Sequence, residues 1–198
     1  MAYPEPIQKL IEQFSKFPTV GPRTAARFVF YLLKLPKSET EELLKSISQL
    51  KEEIKLCPFC FKPFRSDENL CEICSNPSRD KSIICVVEKE TDLESIENIK
   101  KYRGRYFILG GNVSRLRQED IKKLRTEELL ERVKIPEIQE IIIATNSTAE
   151  GEATALYIER LLKPLNKKLS RLGRGLPVGS ELEYADEETL SSALDNRK

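Results

Sequence analysis

Four of the five cysteines in this 198-residue chain form two Cys-x-x-Cys pairs, Cys57-Pro-Phe-Cys60 and Cys71-Glu-Ile-Cys74, with ten residues between them. Pairs at that spacing let four thiolates converge tetrahedrally on one Zn2+. Paired cysteines can also form disulfides or a dithiol redox couple. Disulfides, however, are rare in a reducing cytoplasm, and a single redox pair has no need of a second knuckle. With all four positions taken by sulfur the metal keeps no open site, so the expected centre is structural Zn2+, one per chain, organising a segment too small to have its own core. Cys85, among Ile83, Ile84, Val86 and Val87, reads as a small buried apolar residue. The chain contains no His, which excludes imidazole acid–base catalysis, Ser/His/Asp and Cys/His triads, and every His-ligated metal.

A second chemistry-bearing stretch is Val20-Gly21-Pro22-Arg23-Thr24-Ala25-Ala26-Arg27. It resembles a helix-hairpin-helix DNA-binding element, in which a glycine turn exposes backbone N–H groups at a helix N-terminus where a phosphate can sit. Arg23 and Arg27, four apart on one helical face, would surround that phosphate together with Lys16. Residues 1–35 carry five basic and two acidic side chains, a local excess in a chain whose 33 Lys+Arg nearly cancel its 32 Asp+Glu. Gly21, Lys16, Arg23 and Arg27 are therefore the expected contacts to DNA, and such contacts are independent of base sequence. The competing reading is a plain helical hairpin with solvated arginines.

The third set is acidic. Ile84-Cys85-Val86-Val87-Glu88 ends one predicted strand, and Ile143-Ala144-Thr145-Asn146-Ser147-Thr148-Ala149-Glu150-Gly151-Glu152 ends a later one. Together they resemble a Toprim domain, the family in which a Glu closes the first strand and an Asp-x-Asp closes a later one to hold Mg2+. Here Asn146 and Thr148 stand at the paired-Asp positions. Two neutral oxygens cannot supply the charge a hard divalent cation needs to bind and to stabilise a phosphoryl transition state. The expectation is a Toprim fold without Toprim catalysis and without Mg2+, its cluster of Glu88, Asn146, Glu150 and Glu152 serving as a partner-docking surface. The alternatives are ordinary strand-end and helix-cap carboxylates, or weak Mg2+ binding by Glu88 with Glu150 or Glu152.

Between Arg160 and Arg174 come six basic residues and no acid, a stripe that either faces DNA or is simply solvated. Beyond it, Gly175-Leu176-Pro177-Val178-Gly179 leads into Glu181-Leu182-Glu183-Tyr184 and a closing helix. This tail is similar to the Walker-B-like C-terminal signature of the RecR family of bacterial recombination mediators. No Walker A Gly-x-x-x-x-Gly-Lys-Ser/Thr is present, so an ATPase is not expected. The resemblance runs through the whole chain in order: hairpin, four-Cys module, Toprim-like sheet, tail. It implies a non-enzymatic protein that self-associates to a dimer or a ring-shaped tetramer, clamps DNA, and works with RecO and RecF in recombinational repair of gaps, in the cytoplasm and at the nucleoid. Two other classes remain open: a Mg2+-dependent nuclease or topoisomerase relative using Glu88 and Glu150, and a zinc-braced adaptor with no direct DNA contact.

The elements that must position these residues follow from periodicity. Apolar residues at Ile7, Leu10, Ile11, Phe14 and Phe17, then at Ala26, Val29, Phe30 and Leu33, mark two helices divided by Thr19-Val20-Gly21-Pro22. Ser38 with Glu41 reads as a capping box for a third helix striped by Leu44, Ile47, Leu50 and Ile54. After residue 79 the pattern alternates: strand 82–88, a helix 92–101 with Leu93, Ile96 and Ile99 inward, strand 106–109, two short helices around 119–133, strand 140–144, helix 152–165, strand 168–172 and a closing helix 187–196. That alternation predicts a mostly parallel sheet flanked by helices. The fold class is thus multi-module α/β, with boundaries expected at 1–55 (helical hairpin), 56–79 (zinc module), 80–172 (Toprim-like sheet) and 173–198 (tail). The longest apolar run, Phe28–Leu33, is far short of the roughly 20 residues of a membrane-spanning helix, and the first residues lack a secretion signal's apolar core.

Overall fold

Continuous apolar runs become the centre of a parallel sheet because only strands covered on both faces can hide them. In the computed structural model, which describes residues 3–65, 68–113 and 121–197, β3 (Asp80–Val87), β4 (Gly104–Ile108), β5 (Glu140–Ala144) and β6 (Lys168–Arg171) form a four-stranded sheet of order β4-β3-β5-β6. Every pairing is parallel. Ile84, Cys85, Val86 and Val87 are all but inaccessible. As expected, Cys85 is core, and burial pushes its thiol up to about 12. The flanking helices are α5 (Glu90–Asn98), α6 (Thr126–Val133) and α7 (Ala149–Leu162), and a last helix, α8 (Glu187–Asp195), follows the tail.

The knuckle segment supplies a short antiparallel ribbon, β1 (Lys55–Leu56) with β2 (Pro63–Phe64), and a single helical turn, α4 (Glu72–Ser75). It packs on the sheet's β4 edge, where the Ile108 N–H donates to the Cys60 carbonyl over 3.0 Å. That hydrogen bond uses edge backbone that would otherwise be open to pairing with another chain.

The chain divides into two compact units, Met1–Ile54 and Lys55–Lys198. In the first, α1 (Glu5–Phe14) and α2 (Pro22–Leu32) bury Ile11, Ala25 and Val29 against each other, with Ile7, Phe14, Val20 and Ala26 at the margin. The third helix, α3 (Lys37–Glu53), buries nothing. Leu44, Ile47 and Leu50 are 61%, 53% and 60% exposed, so the stripe read from the sequence is real but faces outward.

Three expectations are corrected. Ser38 does not cap α3: Pro36 occupies the N-cap position and its ring fixes φ there, so Ser38 falls inside the first turn and Glu41 pairs with Lys37 instead. Ile99 points outward, because α5 ends at Asn98 and Lys100 turns into the left-handed region at φ 58°. The helix read from Glu152 begins three residues earlier, at Ala149, because Thr148 accepts a hydrogen bond from the Gly151 N–H and caps it. Of the two short helices expected around 119–133 the second is α6, and the stretch about Glu119 lies outside the described residues.

Candidate metal centre, hairpin and strand-end cleft

The ribbon turn carries Cys57 and Cys60, while Cys71 and Cys74 sit at the start and inside of α4. All four are buried, and their Sγ atoms lie within 4.8 Å of one another. Cys60 Sγ and Cys71 Sγ are 3.5 Å apart. That is far beyond the roughly 2.05 Å of a disulfide and near the roughly 3.8 Å separating sulfurs on one tetrahedral Zn2+ with Zn–S bonds of about 2.3 Å. Hydrogen bonds from the other three cysteines hold the Cys57 thiol far below its ordinary range, and those from the same cluster drive Cys74 far above it. A divalent cation would resolve that conflict by taking all four as thiolates. The Lys62 N–H already points at Cys60 Sγ over 3.4 Å. Arg105 and Arg132 stack on the Phe59 ring at 4.8 and 4.5 Å from its centroid, a cationic surround suited to a four-thiolate centre of net negative charge. The donor set therefore fits a structural metal.

In the helical hairpin, Thr19 takes φ 64° to turn the chain. Gly21 is the N-cap of α2, with no side chain capping the helix and open space around it. Pro22 at N1 has no N–H to lose. Lys16, Gly21, Arg23 and Arg27 are all exposed. Lys16 donates to Gln13 Oε1, and neither arginine has an ion-pair partner among the described residues. An uncapped helix start and two guanidinium groups without ion-pair partners are chemically suited to an anion.

At the C-terminal ends of the strands, β4 lies on one side of β3 and β5 on the other, the switch in strand order at which open parallel sheets leave a crevice. Glu88 follows β3 there and is fully buried. Its Oε1 accepts the Asn146 N–H at 2.7 Å and its Oε2 the Asn112 side-chain amide at 3.0 Å. Gly151 is required: a Cβ there would come within 1.9 Å of the Asn146 carbonyl oxygen and 3.0 Å of Glu88 Oε1. Of the four residues expected to cluster, Glu88 and Asn146 are joined directly and Glu150 lies exposed at the start of α7. Glu152 turns away to bridge Arg171 at 2.7 Å and Arg174. Arg174 also reaches Glu188 of α8 at 2.7 Å. A cavity of about 520 Å3 lies beside these ion pairs, lined by Thr145, Ser147 and the tail.

The same pairs dissolve most of the basic stripe. Lys167 donates to the Ile138 carbonyl and Lys168 pairs with Glu140, so with Arg171 and Arg174 four of the six cations are engaged within the fold. Asn112 and Arg125 were not singled out from sequence. The Gly110-Gly111 doublet after β4 was the available signal, since adjacent glycines at a strand end mark a special turn, and both take positive φ.

A helical hairpin, a four-cysteine module and a parallel sheet flanked by helices with a closing tail define a multi-module α/β protein. The family model described as RecR, helix-hairpin-helix, matches residues 7–51, that of the Toprim domain residues 82–173, and that of RecR, C-terminal, residues 175–198. The Recombination protein RecR of Heliobacterium modesticaldum is 43% identical over 196 residues, 99% of this chain and 98% of that protein. The chain belongs to the RecR family.

Proposed function

We propose that this protein is a non-catalytic, DNA-binding recombination mediator that self-associates into a clamp and delivers partners to DNA during repair. The family supports the role in recombination and repair. The observation that carries the DNA-binding part is the uncapped start of α2 with Arg23 and Arg27 exposed and unpaired beside Gly21. Lys16 adds charge at the same turn. The four cysteines would hold one structural Zn2+. The strand-end cleft, with Glu88 and Asn146 fixed and Glu150 exposed, is the docking surface for a partner of the RecO or RecF kind. Glu88 is committed to two hydrogen bonds and Glu152 to two arginines, which favours docking over Mg2+-dependent phosphoryl chemistry. The site of action is the cytoplasm, at the nucleoid. The boundaries at 55/56, 79/80 and 172/173 are retained as the module divisions.

The test is DNA retardation and solution mass measured across a salt series, with Mg2+ present and the DNA checked for nicks. Wild type is expected to bind as an oligomer. The double variant Arg23→Ala/Arg27→Ala should bind more weakly on every sequence, and the slope of log K against log salt should shrink by about 1.8 for two lost phosphate contacts. Unchanged affinity and slope would overturn the hairpin as the DNA site, and no binding by wild type would leave an adaptor. Nicking abolished by Glu88→Gln would make the protein an enzyme.

A further inference from the structure

We infer that Phe61 and Arg125 are positioning residues that tie the four-cysteine knuckle to the loop holding Glu88, so that the metal centre sets the geometry of the strand-end cleft as well as that of its own module. The inference rests on the docking role of that cleft, but its test needs no partner.

The argument begins with a conformation. Phe61, immediately after Cys60, has φ 65°, a left-handed region that a bulky L-residue enters only at an energetic cost. Glycine would adopt it freely. The knuckle's turn therefore tolerates the aromatic ring despite its backbone, and two contacts of the ring reach beyond the knuckle. It meets Phe107 of β4 edge to face at 5.4 Å, and the Arg125 guanidinium stacks on it at 4.6 Å.

Arg125 in turn holds the end of β4 twice. Its Nη1 donates to the Ile108 carbonyl over 2.9 Å, and its backbone N–H donates to the Leu109 carbonyl over 3.0 Å. The same guanidinium lies 3.3 Å from where a Cβ of Gly110 would be, at φ 90°. Ile108 is gripped on both sides, since its N–H donates to the carbonyl of the metal-ligand residue Cys60. Two residues further on, the Gly110 N–H donates to the Glu88 carbonyl over 3.0 Å, and Asn112 reaches the Glu88 carboxylate. A continuous set of hydrogen bonds and one stacked ring thus connects the cysteine cluster to the carboxylate that orients Asn146. Arg132 provides a contrast: it stacks on Phe59 and donates to the Pro58 carbonyl over 2.6 Å, a grip on the first knuckle alone.

The experiment is hydrogen–deuterium exchange on the full chain, zinc-loaded and assayed for metal content, following residues 105–112 and 145–151. Phe61→Gly should keep its metal, because glycine suits the turn, yet exchange about tenfold faster across 108–112. Arg125→Gln, which loses a charge-assisted hydrogen bond, should exchange at least as fast there. Arg125→Lys should recover part of the protection, since an ammonium can still donate to the Ile108 carbonyl. Arg132→Gln should leave both segments at the wild-type rate. Wild-type exchange in Phe61→Gly and Arg125→Gln would overturn the inference, as would an equal rise in Arg132→Gln. Loss of metal from Phe61→Gly would also overturn it, because the ring would then serve the metal site itself.

Discussion

The two compact units use apolar residues in opposite ways. In the sheet unit, β3, β5 and α7 place Ile84, Val86, Ile141 and Ile158 in a common core, which takes in the four cysteines as well, and the apolar side chains left exposed, such as Val178, Leu182 and Tyr184, belong mainly to the tail. The helical unit buries Ile11, Ala25 and Val29 and leaves Phe17, Tyr31, Leu33 and the outer row of α3 exposed. The apolar runs of the strands are covered within their own unit, whereas the amphipathic helices of the other carry apolar surface that their unit leaves uncovered. A 3.6-residue period reports that a helix has an apolar face and says nothing of whether the same chain covers it. The surplus on α3 is consistent with the self-association proposed for the clamp.

The strongest way to break this comparison is at the metal centre, where the sheet unit depends on four side chains. Cys60→Ser, or removal of metal by a strong chelator, is expected to destabilise residues 55–198 by on the order of 5 kcal/mol, read as a fall in the melting transition and as global exchange of the β4 amides. Helix amides of residues 5–53 should keep their rates. Equal loss in both units would mean that they fold together and that the division at Ile54 has no thermodynamic content.

A smaller effect tests the core directly. Ile84→Ala removes a fully buried side chain and should cost about 2–5 kcal/mol, measured by denaturant unfolding. The paired variant Ile47→Glu/Leu50→Glu on α3 should stay within about 0.5 kcal/mol of wild type in fold stability while lowering the solution mass of the oligomer. An unchanged mass would show that α3 faces water in the assembly, and a large loss of fold stability would show that the row is covered within the chain.

How far the sequence carried these distinctions depends on the range of the interaction involved. The cysteine pairs were legible because ligand spacing is local and the metal accepts few alternatives. The strands were legible because an apolar run such as Ile83–Val87 has nowhere to lie except inside a covered sheet. The fate of the basic stripe was not: Arg171 and Arg174 meet Glu152 and Glu188, partners 14 to 22 residues away, and no periodicity encodes that meeting. Glu88 was found from its strand-end position, but its partner Asn112 lies 24 residues on. The role of Arg125 depends on a ring from the knuckle and a carbonyl from β4, two elements that only the fold brings together.

The smallest expected effect separates the two units at their helix caps. Ser38 and Thr148 look alike in sequence, each a hydroxyl residue before a helical run. In the sheet unit, Thr148 accepts the Gly151 N–H at 3.1 Å and caps α7. In the helical unit, Pro36 takes the cap position and the Thr40 hydroxyl bonds back to its carbonyl instead, which leaves Ser38 without a capping hydrogen bond. Thr148→Ala should therefore cost about 1 kcal/mol, whereas Ser38→Ala should be neutral or slightly favourable, since alanine is the better residue inside a first turn. Denaturant midpoints of the two single variants decide the matter. A Ser38→Ala cost matching that of Thr148→Ala would restore the capping box and move the start of α3 by two residues. A neutral Thr148→Ala would remove the local reason for α7 to begin beside the Asn146 turn, leaving Gly151 and its close approach to Glu88 to set that junction.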